Sequence, residues 1–421
     1  MTNKVAVIGA GISGLSVSSF MKDKGYDVSI FESSENVGGL VKCDIVDGVL
    51  FHRVGGHVFN TKNKVIEHWF WSKFKKEDFI STDRNAKVLI DNNIEVGYPI
   101  ENSLYLLEPN LTSKIIKDFL ELSGKDIDVK RLDNFGDFLR YNFGTTLYEY
   151  YFKPYNEKIW NVDLASIPLP WLDGKLPMPN FLETIVSNIF RKDEKNMVHS
   201  SFYYPQKGGS QFIVNQLSSG LDIKLNSKIS SIVRLPNSRL LIEGTEYDTV
   251  VYTGDVRELS NILQNIHLDS NLDAKIKSLR SNATCNVLCE VKKNDLSWLY
   301  LPSSNIAAHR IIFTGNFSSE NNGNRSGTTC TVEFSGEYSE DYMLEEISKL
   351  PWEVKPLSFN REPNSYVIQD FNTRNNINAL KNILEQSNIY LLGRFAEWEY
   401  YNMDKAMEAA LKLVKKKCGY R

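Results

Sequence analysis

Cysteine, histidine and long apolar runs are all scarce in this chain of 421 residues. The five cysteines (Cys43, Cys285, Cys289, Cys330, Cys418) are odd in number and scattered, and the C-x3-C at Cys285 and Cys289 has no second ligand pair. That excludes a disulfide framework and a zinc site, and leaves cysteine as a small buried hydrophobe. No apolar run reaches the roughly 18 residues of a membrane helix, so no membrane insertion is expected. An excess of one charge is also missing. With 49 Lys and Arg against 52 Asp and Glu, well mixed, the net charge of −3 gives nucleic acid no electrostatic footprint. The chain has no G-x-S-x-G elbow, no HExxH and no P-loop, so a bound cofactor rather than a side-chain triad or a metal is expected to carry any reaction. VAVIGAGISGL near the N-terminus lacks a signal-peptide cleavage site and runs on into a helix, which predicts a cytoplasmic protein.

What is present starts at once. Lys4 to Ile8 reads as a strand, Gly9, Gly11 and Gly14 follow, and Ile12 to Lys24 has a helical pattern that Gly25 stops. A second strand, Asp27 to Phe31, ends at Glu32, where a dinucleotide fold places an acid for a ribose hydroxyl. Strand, glycines, helix and acid together predict a Rossmann βαβ unit, with bare backbone against a pyrophosphate and a helix N-terminus facing it. A second glycine pair, Gly38 and Gly39 in ESSENVGGL, offers another close approach that NAD folds do not usually need, and so favours FAD.

At about 100–200 residues per domain the length predicts two or three domains. Lys87 to Tyr98 reads as a hairpin across Asp91, Asn92 and Asn93. Two amphipathic helical segments follow, one with Leu111, Ile115, Ile116, Phe119 and Leu120 on its apolar face, the other running from Asp133 to Tyr151. Strand patterns return at Ile229 to Leu235, Arg239 to Ile242 and Asp248 to Tyr252, and predominate from Thr284 to Gln369. The chain closes on a strand at Asn388 to Leu392 and a helix from Asp404 to Lys416, with Ala406, Ala410, Leu411 and Val414 on one face. The expected fold class is therefore α/β: a Rossmann-like FAD-binding domain with an inserted helical domain and a strand-rich region, which the family resemblance given below implies is an antiparallel β-sheet domain.

Three further segments have the composition of a site. Gly55, Gly56 and His57 make a flexible loop with one imidazole, able to lie against a flat cofactor. GRFAEWEYYNMDKAM sets Gly393 and Arg394 after a strand, and Tyr400 and Tyr401 before a helix whose N-terminus suits the carbonyl edge of an isoalloxazine. YYFKPYNEKIW, with Tyr151, Phe152, Tyr155 and Trp160, could stack on a nucleobase or wedge helices together.

Taken together, GAGISGL, ESSENVGGL, GGHVFNT, YPIENS, YFKPYNEKIW, HRII and GRFAEWEYYNMD resemble the UDP-galactopyranose mutase family, flavin enzymes that interconvert pyranose and furanose forms of nucleotide sugars. The resemblance spans nearly the whole chain. It implies a discontinuous FAD domain (1–78, 200–260 and 380–421), a helical substrate domain (101–199) and an antiparallel sheet domain (79–100 and 261–379) over the flavin. It implies an FAD site of Gly9, Gly11, Ile12, Ser13, Gly14, Glu32, Ser33, Gly38, Gly39, Leu40, Gly56, His57, Ile229, Gly393, Arg394, Tyr401, Asn402 and Met403. The implied substrate site is Phe152, Tyr155, Asn156, Trp160, Lys175, Arg310, Tyr366 and Tyr400, with Tyr155 and Trp160 at the nucleoside, and Arg310, Tyr366 and Tyr400 at the diphosphate. His57 and Arg310 would be catalytic, and no metal would take part.

The activity implied is ring contraction through a covalent bond from N5 of reduced FAD to the sugar, with no net redox change and an external reductant such as NAD(P)H keeping the flavin reduced. The partners expected are a nucleoside-diphosphate sugar and, for assembly, a second copy of the chain as a homodimer. Asn60 stands where many members have a second histidine and Lys175 where they have an arginine, so a dTDP-sugar such as dTDP-fucopyranose is a candidate beside UDP-galactose. Two rivals share the glycine motifs. An amine- or protoporphyrinogen-type oxidase would consume oxygen with turnover, and a binder like the GDP-dissociation inhibitors would be colourless.

Overall fold

The computed structural model describes residues 3–123, 132–169, 181–191 and 201–418. KVAVI forms the first strand, Lys4–Ile8, with Val5, Ala6 and Val7 wholly buried. It is the middle strand of a five-stranded parallel sheet, flanked by Asp27–Phe31 and Thr249–Tyr252, with Asp222–Lys224 and Ile389–Leu391 at the edges. A strand buried on both faces needs apolar residues at every position rather than alternate ones, which is what the sequence supplies here.

The first helix, Ile12–Lys22, is buried around almost its whole circumference. One side meets the sheet and another meets the closing helix, Met403–Lys417, whose Ala406, Met407, Ala410 and Val414 share its core cluster. Small Ser16, Ser18 and Ser19 allow that close packing, and Ser18 returns its hydroxyl to the Gly14 carbonyl at 2.7 Å. Each fully buried side chain such as Leu15 contributes about 1.5–3 kcal/mol.

A seven-stranded sheet forms the second layer, in the order Val354–Ile368, Arg280–Val291, Thr328–Ser335, Arg310–Ile312, Trp298–Tyr300, Ala86–Ile90, Ile94–Gly97. Every pairing is antiparallel except Trp298–Tyr300 with Ala86–Ile90, which is parallel. Residues Phe79–Asp83 belong to neither large sheet and pair with Ser201–Pro205.

The aromatic helical region packs against that sheet. Its helix Phe135–Phe143 is capped by the Asn134 side chain and stopped by Gly144 at φ +80°. The chain then makes a π-helical turn at Tyr148–Phe152 and continues as the helix Lys153–Trp160. Lys158 pins this last helix by donating to the carbonyls of Leu301, Ser303, Ile306 and Ala308, while Asn282 and Ser335 bind the carbonyls of Trp160 and Ile159. Burial lowers the Lys158 ammonium to about 8.

Several local expectations are corrected. The segment expected as one amphipathic helix over 133–151 is broken at Gly144, because only glycine adopts that backbone angle without strain. On the helix Pro109–Ser123, Ile115 and Phe119 are buried, but Leu120 is 60% exposed. On the closing helix Leu411 is only half-buried, and Met407 takes the central core position. Cys285, Cys289 and Cys330 are buried free thiols in adjacent strands, while Cys43 and Cys418 are half-buried.

Candidate active site

The carboxyl ends of the parallel strands face the second sheet across one cavity of about 450 Å³. Gly9 has φ +103°, and a side chain there would strike Thr253 Oγ1. Gly14 has no room for one, since its Cβ would lie 2.0 Å from the Gly9 carbonyl oxygen. Gly11 is different: the nearest atoms to its missing Cβ are Gly38 O and Gly39 Cα, both 3.9 Å away, so its bareness keeps the cavity open. The second glycine pair does return to the first, because Gly38 N–H donates to the Ala10 carbonyl at 2.9 Å and Gly11 bridges Gly38. No side chain caps the first helix at Gly11, so the N–H groups of its first turn are available to an anion.

Glu32 is buried at the rim of this cradle. Its Oε2 accepts from the Ala10 N–H at 2.8 Å, and its Oε1 accepts from the Ser34 N–H and hydroxyl at 2.9 and 2.6 Å. At the other end of the cavity the closing helix begins at Met403, and Asn402 likewise gives it no side-chain cap. Arg394 is fixed there by donating to the carbonyls of Ser365 and Tyr401 at 2.8 and 2.7 Å, and it lies 4.6 Å from the Tyr400 ring centre. These two uncapped helix ends, the open glycine cradle and the carboxylate fit a dinucleotide laid along the cavity.

The loop at Gly55 to His57 forms one wall. His57 Nε2 donates to the Leu40 carbonyl at 3.0 Å, which leaves Nδ1 as a lone-pair acceptor. Burial first, and the Arg394 charge second, lower the His57 imidazole to about 4, so it is neutral near pH 7.

The sheet supplies the opposite wall. Across its strands Tyr300 is paired with Arg310, and Arg310 with Glu333. Arg310 donates from Nε and Nη2 to Glu333 Oε1 at 2.9 and 2.6 Å, and from Nη2 to the Tyr366 hydroxyl at 3.1 Å. Glu333 Oε2 accepts from the Gly55 N–H at 2.9 Å, so one buried acid holds both the guanidinium and the glycine loop. Burial works to raise the Glu333 carboxyl, but Arg310 and His309 overcome it and hold it well below its ordinary range. It is ionised, and Arg310 stays charged beside it.

Of the residues expected at the cofactor, fifteen line this cavity, and Gly14, Gly393 and Ile229 do not. Gly14 and Gly393 act from behind it, where a Cβ would strike Gly9 O or Ser13 Oγ, and Ile229 is buried in the core with Phe31 and Tyr247. Of the described residues expected at the substrate, only Arg310 lines the cavity. Tyr366 and Tyr400 stack at 5.7 Å behind Arg310, with Trp160 edge-on to both, and Tyr155 stands edge-on to Tyr300. Phe152 packs on Phe143, and Asn156 donates back to the Phe152 carbonyl, so both serve the helix in this conformation. Lys175 lies outside the described residues.

Sequence reasoning missed Glu333, Arg84, Trp298, Tyr300 and the Thr253–Gly254 pair. Thr253 and Gly254 follow a strand of the parallel sheet and could have been found by that position. The others come from strands, or for Arg84 from the link just before one, that only the sheet order brings together.

The βαβ region, residues 7–74, matches the NAD(P)-binding Rossmann-like domain model. Fold and cavity thus define a dinucleotide-binding α/β protein with a second sheet over the site. Among curated proteins, the UDP-galactopyranose mutase of Mycoplasma genitalium is 21% identical over 97% of this chain and 93% of its own length. That of Mycoplasma pneumoniae is 24% identical over 60% of this chain, which spans 62% of that relative. The dTDP-fucopyranose mutase of Escherichia coli (24%) and the coproporphyrinogen III oxidase of Staphylococcus aureus (25%) each align over 60% of the chain and over 63% and 60% of their own lengths. A solved structure of reduced UDP-galactopyranose mutase superposes with a TM-score of 0.90 at 18% identity, covering 100% of this chain and 95% of the other. The resemblance to the UDP-galactopyranose mutase family read from the motifs is therefore carried by sequence and by fold alike.

Proposed function

We propose that this protein is a flavin-dependent isomerase that interconverts the pyranose and furanose forms of a nucleoside-diphosphate hexose, of the UDP-galactose or dTDP-fucose type. The observation that carries the reading is the position of Arg310, an ionised guanidinium between the glycine-lined cavity and the cluster of Trp160, Tyr366 and Tyr400. FAD, with its pyrophosphate at Gly11, Gly38 and the first helix, is the dinucleotide the second glycine pair favours. When bound and reduced, it supplies the nucleophile and the electron pair that this site's side chains lack.

The chain's own residues would do the rest. Arg310 and the Tyr366 hydroxyl would take the diphosphate as it leaves the anomeric carbon, and Tyr155 and Trp160 would hold the base. The helix starting at Met403 would stabilise negative charge at the ring edge of the cofactor. Neutral His57, with Nδ1 left as an acceptor, would orient a sugar hydroxyl by accepting its hydrogen bond.

The test is anaerobic incubation of dithionite-reduced protein with UDP-galactopyranose and with dTDP-fucopyranose, followed by NMR of the products. A furanose product, formed without consumption of reductant in proportion, is expected. Oxygen uptake with peroxide equal to turnover, and no furanose, would replace the isomerase by an oxidase.

A further inference from the structure

Among the described residues three arginines line the cavity, and they differ in how their charge is met. Arg310 is paired with Glu333, and Arg394 is held by two carbonyls at the end assigned to the cofactor. Arg84 has no carboxylate partner among the described residues. Its guanidinium lies 5.2, 4.9 and 5.9 Å from the ring centres of Tyr98, Trp298 and Tyr300, donates to the Tyr300 hydroxyl, and has a buried Nε with no acceptor. The backbone beside it is fixed, since Asn85 and Ser297 exchange hydrogen bonds of 2.7 and 2.8 Å. Aromatic faces attract a cation but do not neutralise it, so Arg84 presents an uncompensated positive charge to the cavity.

We propose that Arg84 is a diphosphate-recognition residue, which binds the substrate's diphosphate from the far side of Tyr300 while Arg310 binds it from the near side. This rests on the nucleotide-sugar reading above. The Arg310–Glu333 pair is close to neutral as a unit, and a diphosphate entering a partly buried site needs a further cation that no protein carboxylate already matches. Tyr300 is the spacer: it is cross-strand partner to Arg310 and hydrogen-bond acceptor for Arg84, which sets the two guanidiniums on either side of one phenol.

The experiment uses the flavin-loaded protein and measures, by calorimetry, the affinity of UDP, dTDP, uridine and inorganic pyrophosphate for wild type, Arg84→Gln and Arg84→Lys. Flavin content and melting temperature are recorded for each. Arg84→Gln should weaken the better-bound nucleoside diphosphate and pyrophosphate about 10- to 100-fold, with uridine and flavin content little changed. Arg84→Lys should fall between, because it keeps the charge and loses the fork. Unchanged diphosphate affinity in a folded variant overturns the proposal, and so does loss of flavin with diphosphate affinity intact, since the anion would then be the cofactor's own pyrophosphate. If wild type binds pyrophosphate in an Arg84-dependent way but neither nucleotide, Arg84 keeps its role and the nucleotide-sugar reading fails. If wild type binds none of them, both fail.

Discussion

Glu333 and Arg310 meet at a single oxygen: both Nε and Nη2 of the arginine donate to Oε1, while Oε2 is left for the backbone of Gly55. The acid is wholly buried, so its partners are its only solvation. Glu333→Ala should therefore cost about 3–5 kcal/mol of stability by leaving a guanidinium without its counter-charge. Glu333→Gln should cost less, because the amide oxygen still accepts. Chemical denaturation of the two variants beside wild type checks the order, and an exposed-site result of under about 1 kcal/mol for both would remove Glu333 from its supporting role.

Replacing Arg310 by lysine keeps a charge but not the planar fork that reaches Glu333 and Tyr366 together. Turnover of the nucleotide sugar should fall about 10- to 1000-fold, with the flavin still bound and still reducible. Steady-state rates and visible absorbance are the readouts. Loss of the yellow colour would move Arg310 to the cofactor.

Glycines 11 and 14 should fail in different ways. Gly14→Ala places a Cβ against the Gly9 carbonyl, so the helix cannot seat on its strand, and both stability and cofactor retention should be lost. The Cβ of Gly11→Val meets nothing nearer than 3.9 Å, and the variant should fold with a melting temperature close to that of cofactor-free wild type, yet purify without flavin. Equal flavin content in Gly11→Val and wild type would show that the pyrophosphate lies elsewhere.

Acid sensitivity should trace in part to His52. It is wholly buried, with Nε2 2.6 Å from the Tyr204 hydroxyl, and burial lowers its imidazole from 6.5 to about 3. Between those values the unfolded chain holds a proton that the folded chain does not, so stability is intact above about 6.5 and is lost as pH falls towards 3. Melting temperatures across that range should decline less steeply in His52→Asn than in wild type. His57, lowered to about 4, should add no inflection near pH 6.5 to the rate profile.

Much of the nucleotide half of the site was legible because it is local. Gly9, Gly11, Gly14 and Glu32 lie in one βαβ unit, so spacing alone predicts where each stands, whereas the cofactor roles of Arg394 and Met403, ahead of and at the start of the closing helix, come from the family resemblance. The aromatic segment was half legible: its π-helical turn and the four carbonyls that hold Lys158 decide which rings face the sheet, and nothing in its periodicity announces either.

The amino-acid order by itself determined that a dinucleotide cradle would form, since a tight turn, a close backbone approach and a helix start are all properties of consecutive residues. Only the tertiary structure decided what stands over that cradle. Arg84, Tyr300, Arg310 and Glu333 come from four separate stretches, and alternation along a strand tells which face a side chain takes but not which strand lies beside it. The charge on Arg84 has its meaning from neighbours that strand order supplies, and strand order is settled by long-range pairing that leaves no local signature.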